Sequence, residues 1–202
     1  MTTQRPGRPR SSSPDEVRDI AFGLFAKNGY AATSLAEIAR AAGISRTTLF
    51  SYVPAKRDLV WDELDERLEL ALTGLTANRE QSPVDAIVDA LLALARHGIS
   101  EHDALAERWN IVREDQELRA SLMQRSEELA VHLARGVREL APAADVELTD
   151  HVVRALLAVS TNCTEAWAQL PTVTMSLDEY TAIQLQPFAD ALRPLLEGQS
   201  DH

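Results

Sequence analysis

The 202-residue sequence has little of several residue types, and each shortage excludes a class of protein. Its single cysteine, Cys163, excludes a disulfide within the chain and fits a reducing cytoplasm. Aromatic residues make up only 5%, and because no run of about 18 apolar residues occurs, we expect no membrane span. The N-terminal residues include arginines but no apolar stretch, so we expect no secretory signal.

Known patterns of catalytic and metal sites are also lacking. The five histidines show no metal-ligand spacing such as H-E-x-x-H, so we predict no metal and no cofactor. The chain has no glycine-rich phosphate loop and no nucleophile elbow. Cys163 has neither a helix start nor a basic neighbour to activate it, which favours an inert buried thiol. The sequence therefore predicts no catalytic residue.

Charge is distributed unevenly along the chain. The net charge of −11 is unusual for a protein that binds DNA. Residues 1–58 carry 9 Lys/Arg and 5 Asp/Glu, a balance of +4, whereas the remainder carries 11 and 26, a balance of −15. Because phosphate attraction depends on the local charge, the first part is the candidate nucleic-acid binder. For the acidic remainder, an ordinary solvated surface is the simpler interpretation.

Residues 33–59 have the pattern of two short helices joined by a tight turn. Ser34, followed by Glu37 three residues later, has the spacing of a capping box. Gly43 ends the first helix, since glycine tolerates the left-handed conformation of a helix exit, and Ser45 can cap the second. A helix, a glycine turn and a short polar helix form the helix-turn-helix pattern, whose second helix fits the DNA major groove.

Helical periodicity extends on both sides of this pattern. An amphipathic helix is predicted over residues 14–28, with Ser13 as its cap and Gly29 at its end. Pro54 suits the first turn of another helix, which we predict from residue 55 to about residue 78. Further helices are predicted over residues 83–97, 101–112, 115–140, 146–170 and 176–197.

The helix-turn-helix residues closely resemble the N-terminal DNA-binding domain of the TetR family of bacterial transcription regulators. The matching segments are L-A-E-I-A-R-A-A-G-I-S-R-T-T-L-F-S-Y and P-A-K-R-D-L, preceded by A-F-G-L-F-A-K-N-G-Y-A-A-T-S. Trp61 and the D-E-L-D that follows are similar to a subset of actinobacterial members, including mycofactocin-type regulators. The resemblance implies an all-α fold: an N-terminal three-helix bundle with the helix-turn-helix, and a C-terminal helical bundle for ligand binding and dimerisation. We place a flexible basic arm at residues 1–13, the DNA-binding domain at 14–58 and the second domain at 59–202.

The resemblance also implies which side chains meet DNA. Positions that commonly meet bases hold Arg46, Thr47 and Ser51; arginine pairs with guanine, and threonine offers a hydroxyl and a methyl group. Phe50 stands where the family often has tyrosine, so this position lacks a hydroxyl for a phosphate. The alternative is a packing unit that binds no DNA. The residues predicted to contact the DNA backbone are Thr33, Ser45, Thr48, Tyr52 and Lys56.

The basic arm carries Arg5, Arg8 and Arg10 between prolines and serines. Such an arm can enter a minor groove or contact phosphates, as the N-terminal arms of homeodomains do. It can equally be a solvated tail, because its composition is too polar to fold alone. Both interpretations stay open on the sequence.

The second part has the helices expected of a bundle that dimerises and binds a ligand. Polar and aromatic residues on two of these helices could form a binding site, although each could equally be ordinary core. The candidate ligand-binding residues are Trp109, Asn110, Arg113, Asn162, Cys163, Thr164 and Trp167. The candidate residues of the dimer seam, on the last two helices, are Val153, Leu156, Leu157, Leu185, Phe188, Leu192 and Leu195.

The sequence thus predicts a cytoplasmic, homodimeric regulator of TetR type that binds a palindromic double-stranded DNA operator. We expect a repressor that a small, largely apolar effector releases from DNA, with no membrane association. One alternative is a DNA-binding dimer that responds to no effector. A small-molecule enzyme is the other alternative, and the lack of a catalytic pattern argues against it.

Overall fold

The computed structural model describes residues 13–75 and 81–197, which contain α-helices and no β-strand. The chain divides into two compact units, Met1–Trp61 and Asp62–His202. No helix within the described ranges is both long and apolar enough to cross a membrane. The predicted all-α fold is confirmed, with the helix-turn-helix in the first unit and a helical domain in the second.

The described part of the first unit contains α1 (Pro14–Asn28), α2 (Leu35–Ala41), α3 (Arg46–Tyr52) and the start of the next helix. A serine caps each of α1, α2 and α3, and its hydroxyl accepts a hydrogen bond from the backbone N–H three residues later. This bond satisfies a donor that the first turn of a helix would otherwise leave unpaired. In α1 and α2 the backbone N–H of the capping serine also donates to the carboxylate of a glutamate three residues later, which completes a capping box. The box in α2 is the one that the sequence predicts. The capping serines are Ser13, Ser34 and Ser45.

The turn between α2 and α3 sets the direction of α3. Gly43 has a φ of +66°, in the left-handed region that favours glycine. The backbone N–H of Ile44 reaches back to the carbonyl of Ala39 at 3.0 Å and closes the end of α2. Beneath the turn the side chains of Ile38 and Leu49 are fully buried. Substituting Gly43 would therefore strain the joint between the two helices.

The second unit is a helical bundle around one large apolar core. This core draws on α4, α5, α7, α8 and α9, and a smaller cluster surrounds Trp167. The elements after α3 are α4 (Asp58–Leu75), α5 (Pro83–Leu94), a 3-10 turn (Ile99–Glu101), α6 (His102–Glu114), α7 (Gln116–Leu140), α8 (Val146–Ala168) and α9 (Leu177–Glu197).

Polar contacts also join distant segments of this bundle. Arg193 near the end of α9 forms a two-point ion pair with Asp85 on α5, at 2.7 and 2.9 Å. Hydrogen bonding to Arg193 lowers the pKa of Asp85 below its ordinary value. The buried His102 ring donates from Nε2 to the backbone carbonyl of Trp167 at 3.1 Å, and the indole of Trp167 donates to the carbonyl of Met175. These bonds fix the loop after α8 against the start of α6.

The predicted start of the fourth helix is wrong. The sequence predicts a helix from residue 55 with Pro54 in its first turn, but α4 begins at Asp58. The Asp58 carboxylate accepts a hydrogen bond from the backbone N–H of Ala55 at 2.8 Å, and the N–H of Asp58 bonds to the carbonyl of Ala55. These reciprocal bonds form a turn, so the chain bends once before it becomes helical.

Part of the predicted dimer seam is core within one chain. Four of the seven candidates lie in the large apolar cluster of the second unit and have no more than 8% of their surface exposed. Packing within the chain already buries them, which leaves little of their surface for a partner. These four are Val153, Leu156, Leu157 and Leu185. Phe188 and Leu195 are about half exposed and remain available to a partner.

Candidate functional site

Helix α3 has an exposed polar side and a buried apolar residue that holds it in place. Leu49 is fully buried and holds the helix against the rest of the unit. Arg46, Thr47 and Ser51 are exposed on the opposite side, as the sequence predicts. Within the described ranges Arg46 pairs with no carboxylate, so its guanidinium is available to a ligand. An exposed, unpaired arginine at the start of a short helix is well suited to bind a base edge or a phosphate.

The hydroxyl groups around α3 have local partners. Ser45 Oγ accepts the backbone N–H of Thr48 at 3.0 Å and shares a hydrogen bond with Thr48 Oγ1 at 2.8 Å. Ser51 Oγ donates to the carbonyl of Thr48 at 2.7 Å. A hydroxyl has two acceptor lone pairs as well as one donor, so these groups keep a capacity to contact DNA. Tyr52 is half-buried at the end of the helix.

The predicted phosphate contact of Thr33 is contradicted by its burial. Its side chain is 1% exposed, and its hydroxyl donates to the carbonyl of Gly29 at 2.9 Å. The hydroxyl therefore stabilises the turn after α1. A buried hydroxyl with an internal partner cannot reach a phosphate unless the turn opens. At the start of α2, Ser34 likewise donates its backbone N–H and its hydroxyl to Glu37, which lowers the pKa of that carboxyl.

Lys56 lies against the same turn. Its ammonium donates to the carbonyls of Tyr30 at 2.8 Å and Thr33 at 3.0 Å, and it lies 4.0 Å from the centre of the Tyr30 ring. A lysine has three N–H donors, so one remains for a phosphate. The residue thus has a structural role that the sequence analysis missed, and its phosphate contact stays a prediction.

Replacing Lys56 by methionine is expected to lower the free energy of unfolding by about 2 kcal/mol, because two carbonyls lose a charged donor. Urea unfolding followed by circular dichroism measures this loss. Lys27→Met is the matched control, since Lys27 is exposed on α1 and its loss should change stability little. Equal stability of the two variants would show that the Lys56 contacts contribute nothing.

The remaining DNA-binding predictions concern the basic arm. Arg5, Arg8 and Arg10 lie outside the described residues, so their role stays a prediction. Residues 1–58 carry an excess of positive charge, which favours contact between this part of the chain and DNA phosphates.

The predicted ligand-binding residues on α6, and Trp167 on α8, differ in burial. Trp167 is fully buried, and the half-buried Trp109 packs against its cluster. Asn110 is exposed, and Arg113 is exposed beside Glu165 on α8, with 3.6 Å between the charged atoms. The first two residues therefore serve the core, and the other two lie on the surface.

Three further candidates lie on α8. Cys163 is buried, which raises the pKa of its thiol above the ordinary value. Thr164 is half-buried, and its hydroxyl donates to the carbonyl of Ser160 within the helix. Of all the candidates, Asn162 alone lines the groove between α7 and α8.

That groove is an open, mostly apolar depression of about 380 Å³. Its walls include Leu122 and Leu157, with Ser126, Thr161 and Asn162 as polar groups. Ser126 and Thr161 are not among the ligand-binding residues that the sequence predicts. Ser126 and Ala130 are small residues four apart on α7, and this spacing on one helix face is the sequence signal that could have located the groove.

An ion-pair cluster borders the groove. Arg154 donates Nε to Asp150 at 2.7 Å and its two terminal nitrogens to the carboxylate of Glu127. Hydrogen bonding to Arg154 lowers the pKa of both carboxyls. Three of the five N–H donors of Arg154 are thus used within the chain, by two carboxylates. Within the described residues, no group of three His, Cys, Asp or Glu side chains could hold a metal ion.

Two family models match the chain in succession. Residues 17–61 match the model for bacterial regulatory proteins of the tetR family. Residues 81–192, more than half of the chain, match the model of the MftR C-terminal domain. The two matched segments cover the helix-turn-helix unit and most of the helical bundle.

Curated relatives are transcriptional regulators. Over 121 residues the chain is 37% identical to the putative mycofactocin biosynthesis transcriptional regulator MftR of Mycobacterium tuberculosis, covering 59% of this chain and 61% of that protein. Over 87 residues it is 34% identical to the HTH-type transcriptional regulator RutR of Escherichia coli, covering 43% of this chain and 41% of that protein. In these alignments the chain therefore covers less than two thirds of the length of either relative.

Solved structures share the fold. A TetR-like transcriptional regulator from Rhodococcus sp. RHA1 superposes with a TM-score of 0.55 at 19% identity, over 95% of this chain and 100% of that one. FadR of Thermus thermophilus, a TetR family repressor solved in complex with lauroyl-CoA, has a TM-score of 0.51 at 25% identity, over 94% and 96%. These structures show the fold, and the two family models show that the chain belongs to the TetR family of DNA-binding transcriptional regulators, with an MftR-type C-terminal domain.

Proposed function

We propose that the protein is a repressor that binds a palindromic operator as a homodimer and is released by a small, largely apolar effector. The observation that carries the proposal is the exposed surface of α3, where Arg46 has no carboxylate partner within the described residues and Thr47 lies beside it. A single short helix contacts few base pairs, so useful specificity requires two copies on successive half-sites. The proposal places the protein in the cytoplasm, with its operator, and assigns it no enzymatic activity.

The dimer is proposed to form through an apolar face of α9. At a helical step of about 100° per residue, six exposed apolar residues fall on one side of this helix. Ile183, Phe188 and Leu195 are 60%, 51% and 46% exposed, which is high for large apolar side chains. Symmetric pairing would remove this surface from water. The six residues of this α9 face are Ile183, Pro187, Phe188, Ala191, Pro194 and Leu195.

The effector is proposed to bind in the groove between α7 and α8. Apolar walls with a few polar groups are typical of small-molecule sites, and the volume of about 380 Å³ lies within their usual range. The carbonyl oxygen of Asn162 can accept a hydrogen bond there, since its amide nitrogen already donates to the carbonyl of Ala158. The lauroyl-CoA bound by the FadR relative supports an effector with an apolar chain.

Release from DNA tests this proposal. The full-length chain first selects its preferred duplex, here called the selected duplex, from a random-sequence library. Acyl-CoA thioesters of increasing chain length, including lauroyl-CoA, are then added to the complex, and release is followed by fluorescence anisotropy. We expect at least one thioester to release the wild-type protein, because an effector shifts the equilibrium by its differential affinity for the two states.

Filling the groove should abolish release. Ser126→Trp is expected to bind the selected duplex normally yet remain bound in the presence of the effective thioester. Gln124→Trp is the matched control, because Gln124 is exposed on the same helix outside the groove. Release of Ser126→Trp at the wild-type concentration would place the effector elsewhere. Failure of every thioester would favour a DNA-binding dimer without this class of effector.

A further inference from the structure

Phe50 is an exposed aromatic residue on the helix proposed to enter the major groove. Its side chain is 46% exposed, whereas Leu49 next to it is fully buried and anchors the helix. The phenyl ring is therefore not needed to hold α3 in place. Phe50 lies four residues after Arg46 and three after Thr47, so the three side chains share one face of α3.

The chemistry of a phenyl group limits what Phe50 can recognise in the major groove. It can neither donate nor accept a conventional hydrogen bond, so it cannot replace the phosphate contact of a tyrosine hydroxyl. Among the groups that base pairs present in the major groove, the apolar one is the C5-methyl of thymine. Contact between the ring and this methyl would remove both apolar surfaces from water.

We propose that Phe50 is a specificity-determining residue that recognises a thymine methyl in each half-site, which deepens the proposed function and rests on it. Four residues of α-helix rise about 6 Å, and base pairs are spaced about 3.4 Å apart. The thymine read by Phe50 therefore lies about two base pairs from the base read by Arg46. Arg46 would recognise its base by hydrogen bonds, and Phe50 would recognise the thymine by an apolar contact.

Removing single methyl groups from the selected duplex tests this inference. Each thymine in turn is replaced by deoxyuridine, which lacks only the C5-methyl and keeps every Watson–Crick hydrogen bond. For the wild-type chain we expect one position per half-site at which affinity falls about fourfold, the factor that corresponds to ~0.8 kcal/mol for one buried methyl. For Phe50→Ala the same replacement should leave affinity unchanged.

Two matched variants test whether the ring of Phe50 is the group that contacts the thymine methyl. Phe50→Tyr keeps the ring, so the loss on deoxyuridine should persist at the same position. Thr47→Ser removes the neighbouring methyl group but leaves Phe50, so the loss should again persist. As a complement, the thymine at that position is replaced by cytosine, and the wild type should bind this duplex weakly. Replacing the cytosine by 5-methylcytosine should raise the affinity of the wild type about fourfold and leave that of Phe50→Ala unchanged.

The outcomes separate this inference from the function on which it rests. If the wild type selects no duplex above random sequence, the proposed function fails and this inference fails with it. If a duplex is selected but no deoxyuridine position weakens binding, the inference alone is overturned. A loss that persists unchanged in Phe50→Ala also overturns it, since another group then reads the methyl. Because Phe50 is exposed, the melting temperatures of all variants should match that of the wild type.

Discussion

Arg46→Ala is expected to weaken binding to the selected duplex by ~1–3 kcal/mol for each half-site and to relax the preference at one base pair. Arg46 is exposed at the first position of α3, directly after the Ser45 cap, and no carboxylate among the described residues competes for its guanidinium. An arginine in this setting can donate two parallel hydrogen bonds to O6 and N7 of guanine. Loss of this contact in both halves of a dimer would lower affinity by roughly 30-fold or more.

Titration of the four duplexes that differ only at the contacted base pair measures this effect. The wild type should prefer one of the four, whereas Arg46→Ala should bind all four with similar affinity. Arg57→Ala is the matched control, because Arg57 is a surface arginine of the same unit outside α3 and has Asp58 as a weak ion-pair partner at 3.9 Å. If Arg46→Ala lost affinity equally for every sequence, Arg46 would contact phosphate and not a base.

Phe188→Asp is expected to convert the dimer to monomers and, with it, to abolish tight operator binding. Phe188 is 51% exposed on the apolar face of α9, where the proposed pairing would bury it. Loss of a central aromatic contact costs about 2 kcal/mol or more, and symmetry places the change twice in one interface. The dissociation constant of the dimer should therefore rise by about a thousandfold, before any cost of burying the new charge.

Sedimentation velocity over a range of protein concentrations measures the association state directly. Val131→Asp is the matched control, since Val131 is an exposed apolar residue on α7, outside the α9 face. It should leave both the mass and the affinity for the selected duplex unchanged. A Phe188→Asp protein that remains a dimer would exclude the α9 face as the seam.

Local signals made the first unit predictable from the sequence. Ser34 and Glu37 form the capping box that their spacing predicts, and Gly43 adopts the left-handed conformation expected at the turn. These features depend on residues within one helical turn of each other, so the printed sequence contains the whole interaction. The exposure of Arg46 followed in the same way from the periodicity of α3.

Contacts between distant segments were not predictable in this way. Thr33 has the position of a phosphate ligand in the sequence, but its hydroxyl faces Gly29 after the chain reverses. Lys56 reaches the carbonyl of Tyr30, 26 residues earlier, which no periodicity indicates. On α9, Leu185 and Phe188 are equally apolar, and only packing against the neighbouring helices decides that the first is core and the second is exposed.

In the proposed complex the α3 surface binds the same duplex twice, through a symmetric pair of chains. Insertion of five base pairs between the two halves of the selected duplex tests this arrangement most directly, because about half a helical turn moves the halves to opposite faces of the DNA. We expect affinity to fall to the level of random DNA, and we expect a ten-base-pair insertion to weaken binding less. Binding that ignores the five-base-pair insertion, or that needs only one half-site and one chain, would contradict this arrangement.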